Sequence, residues 1–533
     1  MQETKGYMCM VLHAHLPFVY HPENDNFFEE SWLFEAISET YIPLLTNFKK
    51  LVSENVEFRL TLTMTPTLLN MLDNSGLQEK YIRYLEKHIE LCKKEIERTK
   101  HNYQENELAK YYLDRYTSDL HIFRDIYNCN LISGFKFLQD VGVLEIIACA
   151  ATHGYLPILY LNEKNIEAQI RVGVETYQKY FEKQPRGFWI PECGYVPEIE
   201  NYLVKYGIEY FITEMHGVLY ANPLPVYGTL APITTPNGLS VFGRDIEASM
   251  RIWSYESGYP GDPNYRDLYR DLAYDAEYEY IKPYTYNGTR MPIGIKYYSV
   301  SDKASNNKNY YNLTNAKETA ERHAYHFMQV TIEQINRNAK YMNGKKPIIL
   351  SAQDAELYGH WWYEGPYWLY ILMKKIYYDQ NEIELITPSE YIDKYPIMQE
   401  CKPCISSWGA GGNNTFWTIA RPAEIYIHIH FAGDRMCELA NKFINEKDEI
   451  KIRALNQCAR ELFLMQSSDW LWQLAHDSMQ EYVYLRFEIH IKRFNKLYEQ
   501  INNDNIDIKY LSEAEKMDCI FSEIDYRIYS DNK

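Results

Sequence analysis

The sequence predicts an α/β fold whose main unit is an α/β barrel. Over the first 400 residues, short apolar segments alternate with helix-like segments, the order expected of repeated βα units. Several of the short segments are almost continuously apolar, as are strands buried on both faces of a parallel sheet. After Ser406 the strand-like segments largely stop, so we expect a separate helical domain at the C-terminal end.

Six segments have the length and composition of buried strands. Each is followed by polar, aromatic or Pro/Gly-rich sequence and then by a helical pattern, as in a βα unit. The six predicted strands are residues 7–13, 58–64, 145–152, 187–190, 210–213 and 347–352.

Two regions depart from the βα repeat because they are purely helical in pattern. Residues of roughly 74–140 are charged and helix-periodic, over 77–100 and then 108–137, so they read as a helical insertion between two strands. Residues 432–446, 449–468 and 480–502 are amphipathic helix patterns. We therefore expect a barrel domain over 1–400 and a C-terminal helical domain over 401–533.

Charge and hydropathy exclude several classes of partner. The chain has 533 residues and a formal net charge of −18, from 55 Lys and Arg against 73 Asp and Glu. Such a field repels phosphate backbones and acidic membrane surfaces, so we expect neither nucleic acid nor a membrane as a partner. No segment reaches the roughly 20 apolar residues of a membrane span. The apolar run near the start, residues 8–12, is too short for a signal-peptide core, which predicts a cytoplasmic location.

Aromatic residues and cysteines add two further expectations. There are 50 Tyr, 21 Phe and 10 Trp, and flat amphipathic rings suit a neutral sugar. The ten cysteines are scattered, so free thiols in a reducing compartment are expected. Cys401 and Cys404 have C-x-x-C spacing, but a zinc site would need further ligands and a redox site a βα context.

Titratable residues follow five of the predicted strands at the point where each ends. In a parallel barrel the carboxyl ends of the strands meet on one face, where active sites lie. Five such ends at matching positions therefore predict one shared site. They carry His13-Ala-His15, His153-Gly-Tyr155, Pro191-Glu192-Cys193, Glu214-Met-His216 and Gln353-Asp354-Ala-Glu356.

Two chemical interpretations of these residues compete. In the first, His13 and His15 bind a metal ion together with His153, His216 and Asp354. In the second, Glu192 and Asp354 face each other across a sugar as nucleophile and general acid/base, while the histidines bind hydroxyl groups. The tryptophans in or near these segments favour the second interpretation, because sugars stack on such rings. They are Trp189, Trp253, Trp361, Trp362, Trp408 and Trp417.

These segments resemble glycoside hydrolase family 57, in the group of α-1,4-glucan branching enzymes and their amylase-like relatives. The resemblance covers about residues 7–500, and the number, order and spacing of its motifs make it specific. The matching segments are Leu12-His-Ala-His-Leu-Pro17, Ala151-Thr-His-Gly-Tyr-Leu-Pro157, Gly187-Phe-Trp-Ile-Pro-Glu-Cys-Gly-Tyr195, Phe242-Gly-Arg-Asp245, Trp253, Gly258-Tyr-Pro-Gly-Asp262, Asp354-Ala-Glu-Leu-Tyr-Gly-His-Trp-Trp-Tyr-Glu-Gly-Pro366, Ser406-Ser-Trp-Gly409 and Gln466-Ser-Ser-Asp-Trp470.

The resemblance implies a retaining α-glucan enzyme on a (β/α)7-type barrel, with a C-terminal α-helical domain that completes the active site. By position, Glu192 corresponds to the family nucleophile and Asp354 to its acid/base. The family does not depend on a catalytic metal, so no metal and no cofactor are implied. The sugar-binding or site-shaping positions implied are His13, His15, His153, Arg244, Asp245, Trp253, Trp408, Trp417 and Asp469.

Physical chemistry sets requirements for the two carboxyl groups. The acid must be protonated when it acts, so a dry site and a charged partner should raise the pKa of Asp354. Glu192 must be ionised to attack, which a nearby histidine or Arg244 would favour.

The group that attacks the glucosyl-enzyme decides the reaction. Water makes the protein an α-amylase, a 4-OH makes it a 4-α-glucanotransferase and a 6-OH makes it a branching enzyme. Family branching enzymes carry a loop tyrosine over the site, and the loop from Tyr220 to Gly238 offers Tyr220 and Tyr227 without a clear match. The tryptophans favour transfer, so we expect a branching enzyme that acts on α-1,4-glucan, with hydrolysis, 4-α-transfer and non-catalytic glucan binding as alternatives.

Several candidates also have structural interpretations. The spacing of His13 and His15 places both on one face of a strand, toward the barrel interior. Trp361 and Trp362 are adjacent and point in different directions in a regular element, so one of them is expected in the core. Trp417 and Asp469 could instead be packing or helix-surface residues.

Overall fold

The computed structural model describes residues 4–254, 257–286, 288–302, 305, 307–476 and 479–531. It contains a nine-stranded, mainly parallel sheet surrounded by helices. The strands are β1 (Gly6–Ala14), β2 (Leu60–Met64), β3 (Leu144–Cys149), β4 (Gly187–Trp189), β5 (Tyr210–Thr213), β6 (Ile233–Thr234), β7 (Ser240–Gly243), β8 (Ile348–Asp354) and β9 (Ile383–Leu385).

Seven strands form the barrel wall in the spatial order β7-β5-β4-β3-β2-β1-β8, and every neighbouring pair is parallel. The short β6 pairs antiparallel with β7, and β9 pairs with the first residues of β1. Between β7 and β8 the described residues form no ladder. One backbone bond of 2.7 Å from the Asp245 N–H to the Leu350 carbonyl joins the two edges. The architecture is the expected (β/α)7 type, with a seam at this point.

Burial explains why these segments are strands. All nine residues of β1 and all five of β2 are buried, so both faces of each strand contact protein. β-Branched and apolar side chains on such a two-sided strand are characteristic of parallel sheets covered by helices. The core is one large cluster on the helix-covered face, with a second cluster filling the barrel interior around Val11, Trp189 and Leu350.

The helices of the first 400 residues cover the sheet and form the predicted insertion. Asn74, Asn102 and Asn130 each cap a helix of that insertion by accepting a hydrogen bond from its first turn. The α-helices are Glu30–Ala36, Ile42–Ser53, Pro66–Leu72, Ser75–Arg98, Tyr103–Leu120, Leu131–Asp140, Leu156–Leu159, Glu163–Phe181, Ile199–Lys205, Met215–Leu219, Ile246–Trp253, Leu272–Asp275, Tyr278–Ile281, Leu313–Ala339, Gly365–Tyr378 and Pro388–Lys394.

The C-terminal region is helical, as predicted, and it packs against the carboxyl ends of the strands. Its α-helices are Ala420–Lys442, Glu449–Met465, Ser468–Ala475, Gln480–Asn502 and Ile508–Met517. The backbone N–H of Ser468 donates to the His153 carbonyl at 3.2 Å, and Gln169 donates to Gln466 at 2.9 Å. Thr152 adds a bond to the carbonyl of Phe463. The break between Met465 and Ser468 therefore lies directly on the barrel.

The observed elements differ from the predicted ones mainly at short segments. β6, β7 and β9 have two to four residues each, and none of them is a nearly continuous apolar run like the predicted strands at 187–190 and 210–213. The predicted helix 449–468 ends at Met465 and a new helix begins at Ser468. Among the described helices, none combines the length and apolar composition needed to cross a lipid bilayer.

Candidate active site

The carboxyl ends of the strands bring the predicted residues together. His13 lies near the end of β1, directly opposite Asp354 in the register between β1 and β8. His153 follows β3, Glu192 follows β4 and Arg244 follows β7. In parallel strands the paired residues point to the same face of the sheet, so the side chains of His13 and Asp354 share one side.

Two of these residues have left-handed backbones. His153 has φ of 55° and Glu192 has φ of 58° with ψ of 22°, and Cys193 has φ of 50°. A non-glycine residue in this region costs on the order of 1–3 kcal/mol and persists only where its surroundings enforce it. The chain turns sharply after both strands, which aims the His153 and Glu192 side chains inward.

Both carboxylate oxygens of Glu192 accept hydrogen bonds from the region after residue 400. The Ser468 hydroxyl donates to Oε1 at 2.9 Å, and the Trp408 indole N–H donates to Oε2. His153 Nδ1 lies 3.6 Å from Oε1 and 2.7 Å from the Ser468 oxygen. Glu192 is 7% exposed, so these neighbours nearly enclose it.

The three histidines form a stacked group beside Glu192. The ring centroids of His15 and His153 are 4.0 Å apart, and those of His13 and His153 are 4.9 Å apart. His13 Nε2 contacts His153 Nε2 at 3.0 Å, and His13 also stacks on Trp189 at 4.5 Å. Burial lowers the pKa of His13 and of His153 well below the usual value for histidine, so both are neutral at pH 7.

Asp469 anchors the other side of the histidine group. His15 Nε2 lies 3.1 Å from Asp469 Oδ2, and His15 Nδ1 lies 3.1 Å from the Thr65 hydroxyl. Burial alone would raise the pKa of Asp469, but the adjoining His15 outweighs it and lowers that pKa to about 2. Asp469 is therefore a charged residue that fixes the orientation of His15.

Arg244 is held between Glu214 and Trp408. Its Nη1 donates to Glu214 Oε2 at 2.9 Å, and its guanidinium carbon lies 5.2 Å from the Trp408 ring centroid. Burial raises the pKa of Asp354 to about 6, while Arg244 and then His15 limit that increase. The Arg244 cation therefore lies close enough to Asp354 to lower its pKa.

The surroundings of Glu192 differ from the sequence expectation, because they raise its pKa and, among the described residues, provide no neighbouring cation. Burial raises the pKa of Glu192 to about 8, and the bonds from Ser468 and Trp408 only partly offset it. The expected cation beside Glu192 is not provided by His153, because burial keeps that ring neutral. Nor is it provided by Arg244, which is paired with Glu214. Neutral donors, rather than a positive charge, stabilise the Glu192 carboxylate.

A cleft of about 1030 Å³ opens onto Asp354. Its wall carries exposed aromatic rings, of which Trp253 is 59%, Trp361 55% and Trp472 43% exposed. The described lining residues are Trp253, Pro260, Arg266, Asp267, Leu268, Tyr269, Arg270, Tyr274, Asp275, Val300, Ser305, Lys308, Asp354, Leu357, Trp361 and Trp472. Exposed rings around a deep cleft are suited to stacking on sugars.

Two of the residues expected to bind sugar or to shape the site have capping and packing positions. Asp245 caps the helix Ile246–Trp253 through Oδ1, while Oδ2 accepts a bond of 2.7 Å from Gln334. Trp417 is fully buried and stacks on Tyr155 at 4.7 Å, so neither face of its indole is open to a sugar. As expected, one of the adjacent tryptophans is core: Trp362 is 1% exposed.

Sequence reasoning missed four residues of this site. Ser468 lies inside the motif Gln466-Ser-Ser-Asp-Trp470, but a serine carries no charge or ring to single it out. Trp472 follows two residues after the motif. Tyr269 and Tyr274 lie just before and within the short helix Leu272–Asp275, in a segment with many tyrosines. Only the fold places these aromatic side chains in the wall of the Asp354 cleft.

The described residues with metal-ligand geometry are not those of the predicted metal site. Among the described residues, the group with metal-ligand geometry is Glu461, His490 and Asp518, on the C-terminal helices and just after them. There His490 Nδ1 bonds Glu461 at 2.8 Å, and Arg493 pairs with Asp518. At the strand ends the three histidine rings stack on one another, and His13 Nε2 and His153 Nε2 lie 3.0 Å apart.

Comparison with known proteins places this site in a family. The sequence profile of glycosyl hydrolase family 57 matches residues 9–402. A profile described as the C-terminal region of 1,4-alpha-glucan branching enzyme matches residues 428–529. A 1,4-alpha-glucan branching enzyme of Thermococcus kodakarensis is 32% identical over 98% of this chain and 78% of its own length.

Two solved structures match over almost their whole length. An alpha-amylase from Thermotoga maritima is 42% identical, with a TM-score of 0.92 over 99% of both chains. A branching enzyme of the same family from Pyrococcus horikoshii is 32% identical, with a TM-score of 0.88 over 99% of this chain and 98% of its own.

Proposed function

Because the chain belongs to glycosyl hydrolase family 57, we propose that it is a retaining enzyme of α-1,4-glucans whose main reaction is branching. It cleaves an α-1,4-glucosidic bond, holds the released chain as a glucosyl-enzyme and transfers that chain to a 6-OH of another glucan. Glu192 is the nucleophile and Asp354 the general acid/base. The substrate is amylose, glycogen or a maltodextrin.

The two half-reactions assign a proton movement to each carboxyl group. In the first, Glu192 attacks the anomeric carbon while protonated Asp354 gives its proton to the departing 4-oxygen. In the second, the Asp354 carboxylate takes the proton of the acceptor 6-OH, whose oxygen attacks the anomeric carbon and releases Glu192. Asp354 is restored to its acid form, so the cycle consumes no other reagent.

The cleft at Asp354 is the observation that supports transfer most strongly. The acid/base contacts the leaving group and then the acceptor, so a cleft beside Asp354 lies on the acceptor side. Trp253, Trp361 and Trp472 expose rings to that cleft. A stacked acceptor chain displaces water from the reacting centre, which favours a sugar hydroxyl over water.

The similar proteins support the same reaction. Branching enzymes from two archaea match nearly all of this chain. The branching-enzyme profile also matches the C-terminal region that provides Ser468 and Asp469. The division into a barrel over 1–400 and a helical domain over 401–533 is part of this proposal.

Hydrolysis is the second candidate, and two observations favour it. The relative of 42% identity is an alpha-amylase. In addition, neither Tyr220 nor Tyr227 is among the described residues that line the cleft. Water that enters beside Asp354 would complete the cycle as an amylase.

Incubation with linear amylose distinguishes the two reactions. Branching creates new reducing ends that are released only after a debranching enzyme has acted, whereas hydrolysis increases free reducing ends directly. Glu192→Gln is the matched inactive control, because it keeps the size of the side chain and removes the nucleophile. Absence of both signals from the wild-type enzyme would contradict the proposal.

An intracellular role in glycogen or maltodextrin metabolism also belongs to this proposal. Fractionation of producing cells tests it, and recovery of the native enzyme mainly from the medium would overturn it.

A further inference from the structure

Ser468 connects Glu192 to a row of buried polar groups that the proposed reaction does not otherwise use. The row runs from Glu192 Oε1 to the Ser468 hydroxyl at 2.9 Å, then to His153 Nδ1 at 2.7 Å. It continues from His153 Nε2 to His13 Nε2 at 3.0 Å. Ser468, His153 and His13 are each 1% exposed, so bulk water does not interrupt the row.

We propose that Ser468 is a positioning residue that, oriented by His153 and His13, favours the ionised form of Glu192 and fixes its Oε1 for attack. This inference rests on the proposed function, in which Glu192 is the nucleophile. It assigns a role to Ser468 and a direction to the row of hydrogen bonds.

The direction follows from counting protons. The Trp408 indole can only donate, so Glu192 Oε2 is an acceptor. With Glu192 ionised, the Ser468 hydroxyl donates to Oε1 and its oxygen accepts the Nδ1–H of His153. His153 then has a bare Nε2, which accepts the Nε2–H of His13. Every donor in the row points toward Glu192.

The opposite direction is disfavoured at the far end of the row. If Oε1 carried the proton and donated to Ser468, each ring would shift its proton and His13 Nδ1 would become an N–H. His13 Nδ1 is buried and has no hydrogen-bond partner among the described residues. A buried N–H without an acceptor is the rarer arrangement in folded proteins, compared with an unused lone pair.

The charges around Glu192 oppose its ionisation, so the hydrogen bond from Ser468 is needed to favour the carboxylate. Asp354 at the end of β8 and Asp469 in the helix Ser468–Ala475 both raise the pKa of Glu192, in addition to burial. His153 faces it as a neutral ring, and the buried Cys193 and Tyr155 add no positive charge. Arg244 is committed to Glu214. The donors from Ser468 and Trp408 are thus the groups that oppose protonation.

The segment that holds Ser468 is anchored to the strand end that holds His153. The Ser468 N–H donates to the His153 carbonyl, and Gly154 forms an isolated β-bridge with Ser467. The left-handed backbone of His153 turns its ring toward the hydroxyl. The donor and its orienting ring therefore move together as one unit.

Substitution of Ser468 tests the inference by the titration of Glu192. Ser468→Ala removes the donor, and Ser468→Thr restores a hydroxyl. Ser38→Ala is the matched control, because Ser38 is equally buried and bonds Tyr81 at 2.7 Å outside the site. The Glu192 carboxyl is followed by infrared spectroscopy of unliganded, glutamate-labelled enzyme, with the Glu192→Gln difference spectrum for assignment. This readout does not depend on activity.

For Ser468→Ala we expect the midpoint of the Glu192 titration to rise by about one pH unit. The alkaline limb of kcat/KM, which the higher ionisation of the Glu192–Asp354 pair sets, should move up with it, kcat at pH 6 should fall about tenfold and KM should stay within about twofold. Ser468→Thr should restore the limb and Ser38→Ala should not move it. Ser468→Cys, a nearly isosteric weaker donor, carries the same test if the alanine variant does not fold.

An unchanged Glu192 titration in Ser468→Ala or Ser468→Cys would overturn the inference, as would a loss of activity that is uniform across pH. Failure of the proposed function has a different signature. The wild-type enzyme would then leave amylose unchanged, whatever the titration of Glu192 in the variants.

Discussion

Trp408 is joined to Glu192 by two hydrogen bonds, one from its indole to the side chain and one from its backbone. The backbone N–H of Trp408 donates to the Glu192 carbonyl at 2.9 Å, and the indole N–H donates to Oε2. The first bond holds the left-handed turn at Glu192, and the second positions the carboxylate. A loop some 216 residues away in the chain thus fixes the proposed nucleophile.

This relationship means that the barrel alone does not complete the site. Trp408, Ser468 and Asp469 all follow residue 400 and contact side chains at the strand ends. The buried carboxyl groups, the neutral histidines and the aromatic cleft each lead to a measurable consequence.

Replacement of Glu192 by glutamine should change the pH dependence of stability. Burial raises the pKa of Glu192 to about 8, above the value expected when unfolded, so the folded state binds more protons between about pH 4.5 and 8. This contribution is fully present below about pH 4.5 and is lost as the pH rises through 8. Glu192→Gln should therefore raise Tm by several degrees at pH 8 and by much less at pH 5.

Thermal unfolding at the two pH values provides the measurement. Glu198→Gln is the control, because Glu198 is exposed in the same segment. Equal changes in Tm for Glu192→Gln at pH 5 and pH 8 would show that Glu192 does not titrate in this range.

The pH dependence of catalysis should reflect one shared proton. Burial raises the pKa of Asp354 to about 6 and that of Glu192 to about 8. The reacting form has one proton on the pair, so kcat/KM should rise and fall around a maximum near pH 7. With maltosyl fluoride as the substrate, the leaving group needs no acid. The kcat/KM profile of Asp354→Asn should therefore lose its alkaline limb. Retention of both limbs in that variant would assign the second ionisation to another group.

The exposed tryptophans of the cleft should control transfer more than cleavage. Trp472→Ala and Trp361→Ala remove rings beside Asp354, and loss of a stacking contact lowers the branching rate about tenfold. Hydrolysis of the same amylose should change by less than about twofold. Tyr341→Ala is the control, since Tyr341 is 65% exposed and is not a lining residue of this cleft. An equal fall in the branching and hydrolysis rates would show that Trp472 and Trp361 do not bind the acceptor.

Trp417 should behave as a core residue and Trp253 as a surface one. Trp417 is fully buried on Tyr155, so Trp417→Ala should lower the free energy of unfolding by about 3–5 kcal/mol. Trp253 is 59% exposed, so Trp253→Ala should leave stability within about 0.5 kcal/mol while raising KM for amylose. Denaturant unfolding separates the two, and a stable Trp417→Ala enzyme with an altered KM would contradict this assignment.

Long periodic helices and nearly continuous apolar strands were predictable from the sequence. The helix Gln480–Asn502 and the strand Tyr210–Thr213 have the predicted bounds, and the helical insertion lies where its charged, periodic pattern indicated. The pattern was informative because each of these segments buries one face or both. The strand Ser240–Gly243 is as short as Tyr210–Thr213, but a serine and a glycine bound its apolar pair, so sheet pairing alone defines it.

The site was predictable where a residue has its own chemistry and unpredictable where it acts through a neighbour. Glu192, Asp354 and the three histidines stand at strand ends, which the βα pattern locates. Ser468 matters because it contacts Glu192 from 276 residues away, a relation that no local pattern contains. Asp245 ends a segment that matches the family. It also directly precedes the helix Ile246–Trp253, and its carboxylate caps that helix.

Azide rescue of the two carboxylate variants tests the assignment of roles most directly. With α-maltosyl fluoride as the donor, Glu192→Ala should give the β-azide, because azide replaces the enzyme nucleophile in a single inversion. Asp354→Ala should give the α-azide, because Glu192 still forms the glucosyl-enzyme and azide then attacks it. The anomeric configuration is read by proton NMR. A β-azide from Asp354→Ala, or an α-azide from Glu192→Ala, would contradict the roles proposed for these two residues.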